Sequence, residues 1–328
     1  MPRRDSPLAP AYAGRRVLVT GADGFLGSHV CERLLECGAT VAALVRPSSV
    51  RGTAVTTLRN LGPIQTALST VIAADVAGPD AIALMGDWSP QIVLHLAADA
   101  FVERSFTHPR EVMRTNLGGT ESVLDLARTC ASVERVVVTS SSEIYGPAQT
   151  ESIAESHPLA PTSPYAASKV AADRLAHAHR VTYGTPVAII RPFNTFGPRH
   201  PYDVIPKFIA RAVEGLPLVV YGDGTQSRDF TYVTDMVEAF LLMGVHPDAV
   251  GHAVNFGTGI ATSVAALAAM VVHAAGSDSP IERGPQRKAE VARLCCDHGL
   301  ATRLLGWRPL VPLADGLADN VAWMRAQQ

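Results

Sequence analysis

The 328-residue chain lacks several things that would assign it to a large class of proteins. It has no run of about 18 consecutive apolar residues, so a membrane-spanning helix is not expected. Cysteine is sparse and poorly spaced for staples: five residues, an odd number, at positions 31, 37, 130, 295 and 296. That pattern fits neither a disulfide framework nor a zinc site, and it suits a reducing cytoplasm. The adjacent Cys295 and Cys296 read as packing residues, because neighbours along a strand face opposite ways. Neither sign of charge dominates, and a net charge of -2 offers no basic surface for nucleic acid and no polybasic membrane patch. A small molecule is the expected partner. His177 and His179, two apart on a helix, point to different faces and make no metal site. Internal repeats and low-complexity segments are also missing. Residues Met1 to Gly14 hold Pro2, Arg3, Arg4, Pro7 and Pro10 but no apolar run of signal-peptide length, and they read as a disordered leader.

A hydrophobic content of 47% is ample for the core of one large α/β domain carrying a smaller lobe. Strand-like runs at Arg16 to Thr20, Thr40 to Val45, Val71 to Val76, Ile92 to Ala97, Arg135 to Ser140 and Val187 to Arg191 are apolar throughout rather than alternating. Such runs mark strands buried on both faces. Between them, Phe25 to Glu36, Val112 to Cys130 and Tyr165 to Tyr183 carry helical spacing, which predicts a doubly wound parallel sheet over residues 15–193. After about Asn194, turn clusters at Gly197-Pro198-Arg199, Gly222-Asp223-Gly224 and Gly257-Thr258-Gly259 break the alternation. Residues 194–328 are expected to form mainly a substrate-binding lobe interleaved with the first domain. Its helices are placed at Ile205 to Glu214, Val264 to Ala275 and Leu313 to Ala326, with a short strand at Leu218 to Tyr221.

The first strand runs into Gly21-Ala22-Asp23-Gly24-Phe25-Leu26-Gly27, which opens the next helix. Glycines at this spacing let backbone approach a pyrophosphate, while the helix N-terminus supplies N–H groups and a positive dipole. The residues expected at the dinucleotide are Gly21, Asp23, Gly24, Phe25, Leu26 and Gly27, with Asp75 a candidate for the adenine edge. The second strand ends without the acid that would hold an NAD ribose. Arg46, with Ser48 or Ser49, is placed to receive a 2′-phosphate instead, which leans towards NADP.

Most of the chemistry lies in Thr139-Ser140-Ser141-Ser142-Glu143, at a strand end, and in Tyr165-Ala166-Ala167-Ser168-Lys169, on the following helix. Tyr165 and Lys169 share a helix face, so the ammonium is expected to pull the Tyr165 pKa below its usual value near 10. Such a tyrosine can deprotonate a sugar hydroxyl held by Ser141, and Glu143 adds a base that simple alcohol oxidation does not need.

Together these residues resemble the extended short-chain dehydrogenase/reductase family. The further supports are His95-Leu96-Ala97-Ala98, Asn116 with Gly119-Thr120, Arg191-Pro192-Phe193-Asn194, and Tyr221-Gly222-Asp223-Gly224 leading to Arg228-Asp229-Phe230. The resemblance implies a Rossmann fold, a nucleotide-diphosphate sugar as substrate, an NAD or NADP kept through the turnover, and a homodimer. It also implies that Val76, Leu96, Ala97, Ala98, Asn116, Tyr165 and Lys169 contact the dinucleotide, and that Ser141, Asn194, Lys207, Tyr221, Arg228 and Arg287 contact the sugar nucleotide. Ser141 to Gly146 looks most like the segment of 4,6-dehydratases acting on GDP-mannose or UDP-N-acetylglucosamine, while dTDP-glucose 4,6-dehydratases place Asp where this chain has Ser142. A UDP-glucuronate decarboxylase and a 4-epimerase are the rival enzymes. A dinucleotide-sensing protein without catalysis would have no use for the whole Tyr-Lys-Ser-Glu set.

Overall fold

The computed structural model describes residues 7–47, 58–286 and 291–328. Ser48, Ser49 and Arg287 lie outside them. The central sheet holds β1 (Arg16–Thr20), β2 (Thr40–Val45), β3 (Thr70–Ala73), β4 (Ile92–His95), β5 (Arg135–Thr139) and β6 (Val187–Pro192), with Ala253–Phe256 as a seventh strand. Across the sheet the order is Ala253–Phe256, β6, β5, β4, β1, β2, β3, and every neighbouring pair is parallel. The unbroken apolar runs follow from burial on both faces. Val17 and Val19 enter one hydrophobic cluster with Val30 and Leu34 of the helix Phe25–Glu36, while Leu18 between them enters another with Val123, Leu124 and Met85. Because β1 pairs with β2 on one side and β4 on the other, the winding reverses between β1 and β4. A crevice opens outside the carboxyl ends of the strands at such a point.

The smaller lobe is built on Ser227–Tyr232, which pairs with Asn194–Phe196, Ala261–Ser263 and Arg293–Leu294. A parallel pair, Leu218–Tyr221 with Ile281–Gly284, and the helices Val204–Val213, Val264–Ala274 and Leu313–Arg325 complete it. Since the seventh strand of the main sheet comes from this later part of the chain, the two regions are interleaved in sequence.

Three readings need correction. Residues 9–12 of the supposed disordered leader form a helical turn, and Tyr12 is fully buried with its hydroxyl donating to Leu241 O at 2.7 Å. The single helix expected from Val112 to Cys130 is instead Pro109–Met113, a π-helical turn Arg114–Gly118 and Gly119–Thr129. The wide turn lets the Asn116 side chain leave the helix and bond backbone at Asp99, at 2.7 Å to N and 3.2 Å to O. The third strand stops at Ala73, which leaves Asp75 in the following turn, where its carboxylate accepts from Ala77 N and pairs with Arg114 at 2.6 Å. Among the described residues no helix is long and apolar enough to cross a membrane and no group of side chains can hold a metal. All five cysteines are free, and Cys295 and Cys296 are both buried.

Candidate active site

A cavity of about 1790 Å³ opens at the carboxyl ends of the strands, between the glycine loop and the smaller lobe. At one end, Gly21 has φ +69, and a Cβ there would stand 2.8 Å from the Ala97 backbone. A Cβ on Gly27 would stand 2.2 Å from Gly21 O, so the loop closes on itself only with glycine at these positions. Gly24 caps the helix Phe25–Glu36 with no side-chain acceptor, which leaves first-turn amides open to an anion. This cradle fits a pyrophosphate. Asp23 lines the cavity, yet its carboxylate accepts from the backbone N–H of Arg59, Asn60 and Leu61, holding that segment beside the loop. Phe25, Leu26, Arg46, Asp75, Val76, Leu96, Ala97 and Ala98 also line it. Arg46 reaches across the crevice and donates to Ala98 O at 3.0 Å. Asn116 stands behind the wall, where its side-chain amide also donates to Ser168 Oγ at 2.9 Å.

At the centre lie Ser141, Ser142, Glu143, Tyr165 and Lys169. Ser141 ends the extended segment after β5, and its Oγ accepts from Glu143 N at 3.2 Å, capping the short 3-10 turn Ser142–Tyr145 that carries the glutamate. Ser163 caps the helix Pro164–Tyr183 in the same way, accepting from Ala166 N at 3.0 Å, with Pro164 at the first helical position. Tyr165 is thereby fixed at the cavity wall, and the Lys169 ammonium donates to Thr139 O at 2.9 Å.

Burial dominates the electrostatics. It pushes the Tyr165 phenol well above its usual range, a rise opposed by hydrogen bonding with Ser141 and reinforced by Glu143, Asp203 and Asp99. In the protein alone the Tyr165 pKa is therefore raised rather than lowered as expected, burial outweighing whatever favours the phenolate. Burial drives Lys169 down as well, to about 8, which leaves it mostly protonated near neutrality. Glu143 is raised by burial against the pull of Arg228, with Asp203 adding to the rise.

On the lobe side the cavity meets Asn194, Lys207, Tyr221 and Arg228. Asn194 Oδ1 is buried without a hydrogen-bond partner. Sequence reasoning missed Asp99, Phe101, Arg211, Tyr202 and Asp203, all of which line the site. Arg199 and Asp203 have φ +70 and +78 although neither is glycine. Rings continue from the glycine loop along this segment: Phe25 stacks on His200 at 4.6 Å, His200 meets Tyr202 at 5.3 Å, and Tyr202 meets Phe101 at 5.1 Å.

The sequence matches a family model described as the NAD dependent epimerase/dehydratase family over residues 17–257. The UDP-glucose 4-epimerase of Mycolicibacterium smegmatis is 35% identical over 94% of this chain and 98% of its own. The dTDP-glucose 4,6-dehydratase of Streptomyces griseus is 36% identical over 94% of this chain and 93% of its own. Among solved structures, the dTDP-glucose 4,6-dehydratase DesIV of Streptomyces venezuelae, with NAD bound, superposes with a TM-score of 0.85 at 33% identity, covering 95% of this chain and 97% of that one. With a Rossmann-like sheet, a glycine cradle at its switch point and matches along most of its length, the chain belongs to the NAD-dependent epimerase/dehydratase family of enzymes.

Proposed function

We propose that the chain is a nucleotide-sugar 4,6-dehydratase that yields an NDP-4-keto-6-deoxy-hexose. The observation that carries this reading is Glu143, which shares the cavity with Tyr165 while its carboxyl is raised by burial. A carboxylate of raised pKa is a stronger base than a solvated one, suited to taking a proton from carbon next to a ketone. Tyr165 takes the proton of the sugar 4-hydroxyl, Ser141 orients that hydroxyl, and the Lys169 charge favours the phenolate. When bound, a dinucleotide would supply the acceptor for the C4 hydride and, once reduced, the hydride that returns to C6. Glu143 then removes the C5 proton and, through Ser142 or water, passes it to the departing 6-hydroxyl, so that one water leaves; as the hydride adds at C6, Glu143 delivers a solvent-exchanged proton to C5, which balances the one Tyr165 took from the 4-hydroxyl and returns to solvent.

Arg228, Lys207, Tyr221 and Asn194 line the side where a diphosphate and its sugar would sit; Arg287, assigned to the same task from the sequence, lies outside the described residues. The absence of an acid at the end of β2, with Arg46 in the cavity wall, favours NADP over NAD. Free cysteines suit a cytoplasmic enzyme, and Val181 and Tyr183, exposed on the helix Pro164–Tyr183, suit pairing of two copies through helices.

A 4-epimerase is the second reading, supported by the M. smegmatis relative and by Ser142 at the position where dTDP-glucose 4,6-dehydratases have Asp. It needs only Tyr165, Ser141 and Lys169. The decisive experiment incubates the enzyme in deuterium oxide with dTDP-glucose, UDP-glucose, UDP-N-acetylglucosamine, GDP-mannose and UDP-glucuronate, follows the sugars by mass and NMR, and identifies the dinucleotide released on denaturation. Expected are loss of one water, deuterium at C5, and, from Glu143→Gln, a 4-keto sugar that has lost two hydrogens but no water. A C4-inverted product free of deuterium would replace this reading by the epimerase, and loss of carbon dioxide from UDP-glucuronate by the decarboxylase.

A further inference from the structure

Beneath the cavity lies a polar cluster that the chemistry above does not use. Asp173, Arg191, Tyr145 and Asn255 are at most 3% exposed, and none lines the cavity. The Arg191 guanidinium holds Asp173 through Nε at 2.9 Å and Nη2 at 3.1 Å, and its Nη1 donates to the Tyr145 hydroxyl at 2.9 Å. That hydroxyl donates to Asn255 Oδ1 at 2.6 Å, and Asn255 Nδ2 donates to Ile153 O at 2.9 Å. The fork-to-carboxylate pair is the strong, directional kind.

The elements so joined matter more than the bonds. Asp173 sits one turn past Lys169 on the helix that carries Tyr165, Arg191 is the penultimate residue of β6, Asn255 lies on the seventh strand, and Tyr145 is the last residue of the 3-10 turn that carries Glu143. That turn is short. It is held at its start by the Ser141 cap and closed by Gly146 at φ +64, where a Cβ would stand 1.9 Å from Ala160 O. Its Ile144 O accepts from Ala160 N at 3.1 Å, and among the described residues its deep side-chain anchor is the Tyr145 hydroxyl, accepting from Arg191 and donating to Asn255. The Tyr165 helix is tied separately, by the two Arg191–Asp173 bonds.

We propose that Tyr145 is a positioning residue for Glu143, its hydroxyl locking the 3-10 turn against Arg191 and Asn255 so that the carboxylate is aimed at the reacting carbon. The inference rests on the reading of Glu143 as the C5 base. Removing the hydroxyl should loosen the glutamate and leave the Tyr165 helix in place, so the two halves of the reaction should respond differently.

Tyr145→Phe is the variant of choice, because it keeps the ring against Phe193 and His157 and leaves both Arg191–Asp173 bonds intact. Asn255→Leu breaks the same anchor from the other side and serves if the first variant folds poorly. Single turnovers of the dinucleotide-loaded protein, with the nucleotide sugar that the wild type dehydrates, would be quenched at intervals and the sugars weighed. Formation of the 4-keto sugar should keep its wild-type rate within about twofold. Loss of water and deuterium entry at C5 should slow by about tenfold or more, on the scale of the ~10² that a 1 Å misplacement costs. The pH profile of the elimination step should also shift, which a loss of global stability would not produce. If both steps slow together, or neither slows while Glu143→Gln still blocks elimination, Tyr145 is only a packing residue and the proposal fails. Wild-type elimination by Glu143→Gln would overturn the assignment of the base, and this inference with it.

Discussion

At His95 the fold holds an ionisable ring and denies it a charge. Its Nδ1 bonds Thr20 Oγ1 at 2.8 Å, its Nε2 bonds Thr120 Oγ1 at 3.1 Å, and burial, helped by the charge of Lys169, lowers its pKa from 6.5 to about 3. Between these two values the unfolded chain binds a proton that the folded one refuses. Stability therefore rises with pH across that window and is lost as pH falls from 6.5 towards 3. His95→Asn should flatten this slope, which urea midpoints for both proteins at a series of pH values would show; parallel curves would mean that His95 carries no such linkage. Tyr165 and Lys169 were legible as a pair because they stand four positions apart on a helix, and Ser141 and Glu143 because they stand two apart after a strand end. Their ionisation was not legible, since burial is set by what the rest of the chain stacks above them. For the same reason the reversal at Tyr165, raised rather than lowered, needed the fold.

The first strand, glycine loop and helix are the element most plainly written in the chain, with observed limits Arg16–Thr20 and Phe25–Glu36 identical to those expected. Glycine spacing at a strand-to-helix turn has a steric cause, and the structure supplies it as the 2.2 Å approach that a Cβ on Gly27 would make to Gly21 O. Backbone is on the other side of that contact, so no flexible side chain can yield. Gly27→Ala should destabilise the protein by about 1–3 kcal/mol, the usual scale of overpacking, and weaken dinucleotide retention. Denaturant unfolding and the dinucleotide content of purified protein would report both, and a variant of wild-type stability with full dinucleotide would refute the steric argument. Other elements gave less warning. The π-helical turn at Arg114–Gly118 hides within a good helical pattern, and the segment from Arg199 to Asp203 has positive φ at its two ends without the glycine or asparagine that would advertise it. Tyr202 and Asp203 reach the cavity because the topology brings that segment over the crevice, which local periodicity does not encode.

Across the whole molecule, the least legible contact joins the two ends of the central sheet's history. Tyr12, taken from the sequence as part of a loose leader, is fully buried and bonds Leu241 O, in the helix Val233–Val245. Gly244 makes room for it, since a Cβ there would stand 2.2 Å from the tyrosine oxygen. One aromatic residue between small ones carries no periodic signal, and its partner lies 229 positions away. Tyr12→Ala should cost about 3–5 kcal/mol, as loss of a large buried aromatic does, while leaving the catalytic rate per folded molecule unchanged. Urea unfolding together with active-site titration would check this, and a loss under about 1 kcal/mol would show that the N-terminal turn adds little.

That long-range contact also bears on how the chain is made. At about 5–20 residues per second on the ribosome, Tyr12 waits roughly 10–50 s before its partner helix emerges. The strand Ala253–Phe256, which edges the sheet beside β6, comes later still. Until then the faces of β4, β5 and β6 against which Val233–Val245 packs lack that cover. The nascent protein therefore leaves that apolar surface without its helix cover through most of its synthesis, and shielding by chaperones at the ribosome exit is the expected consequence.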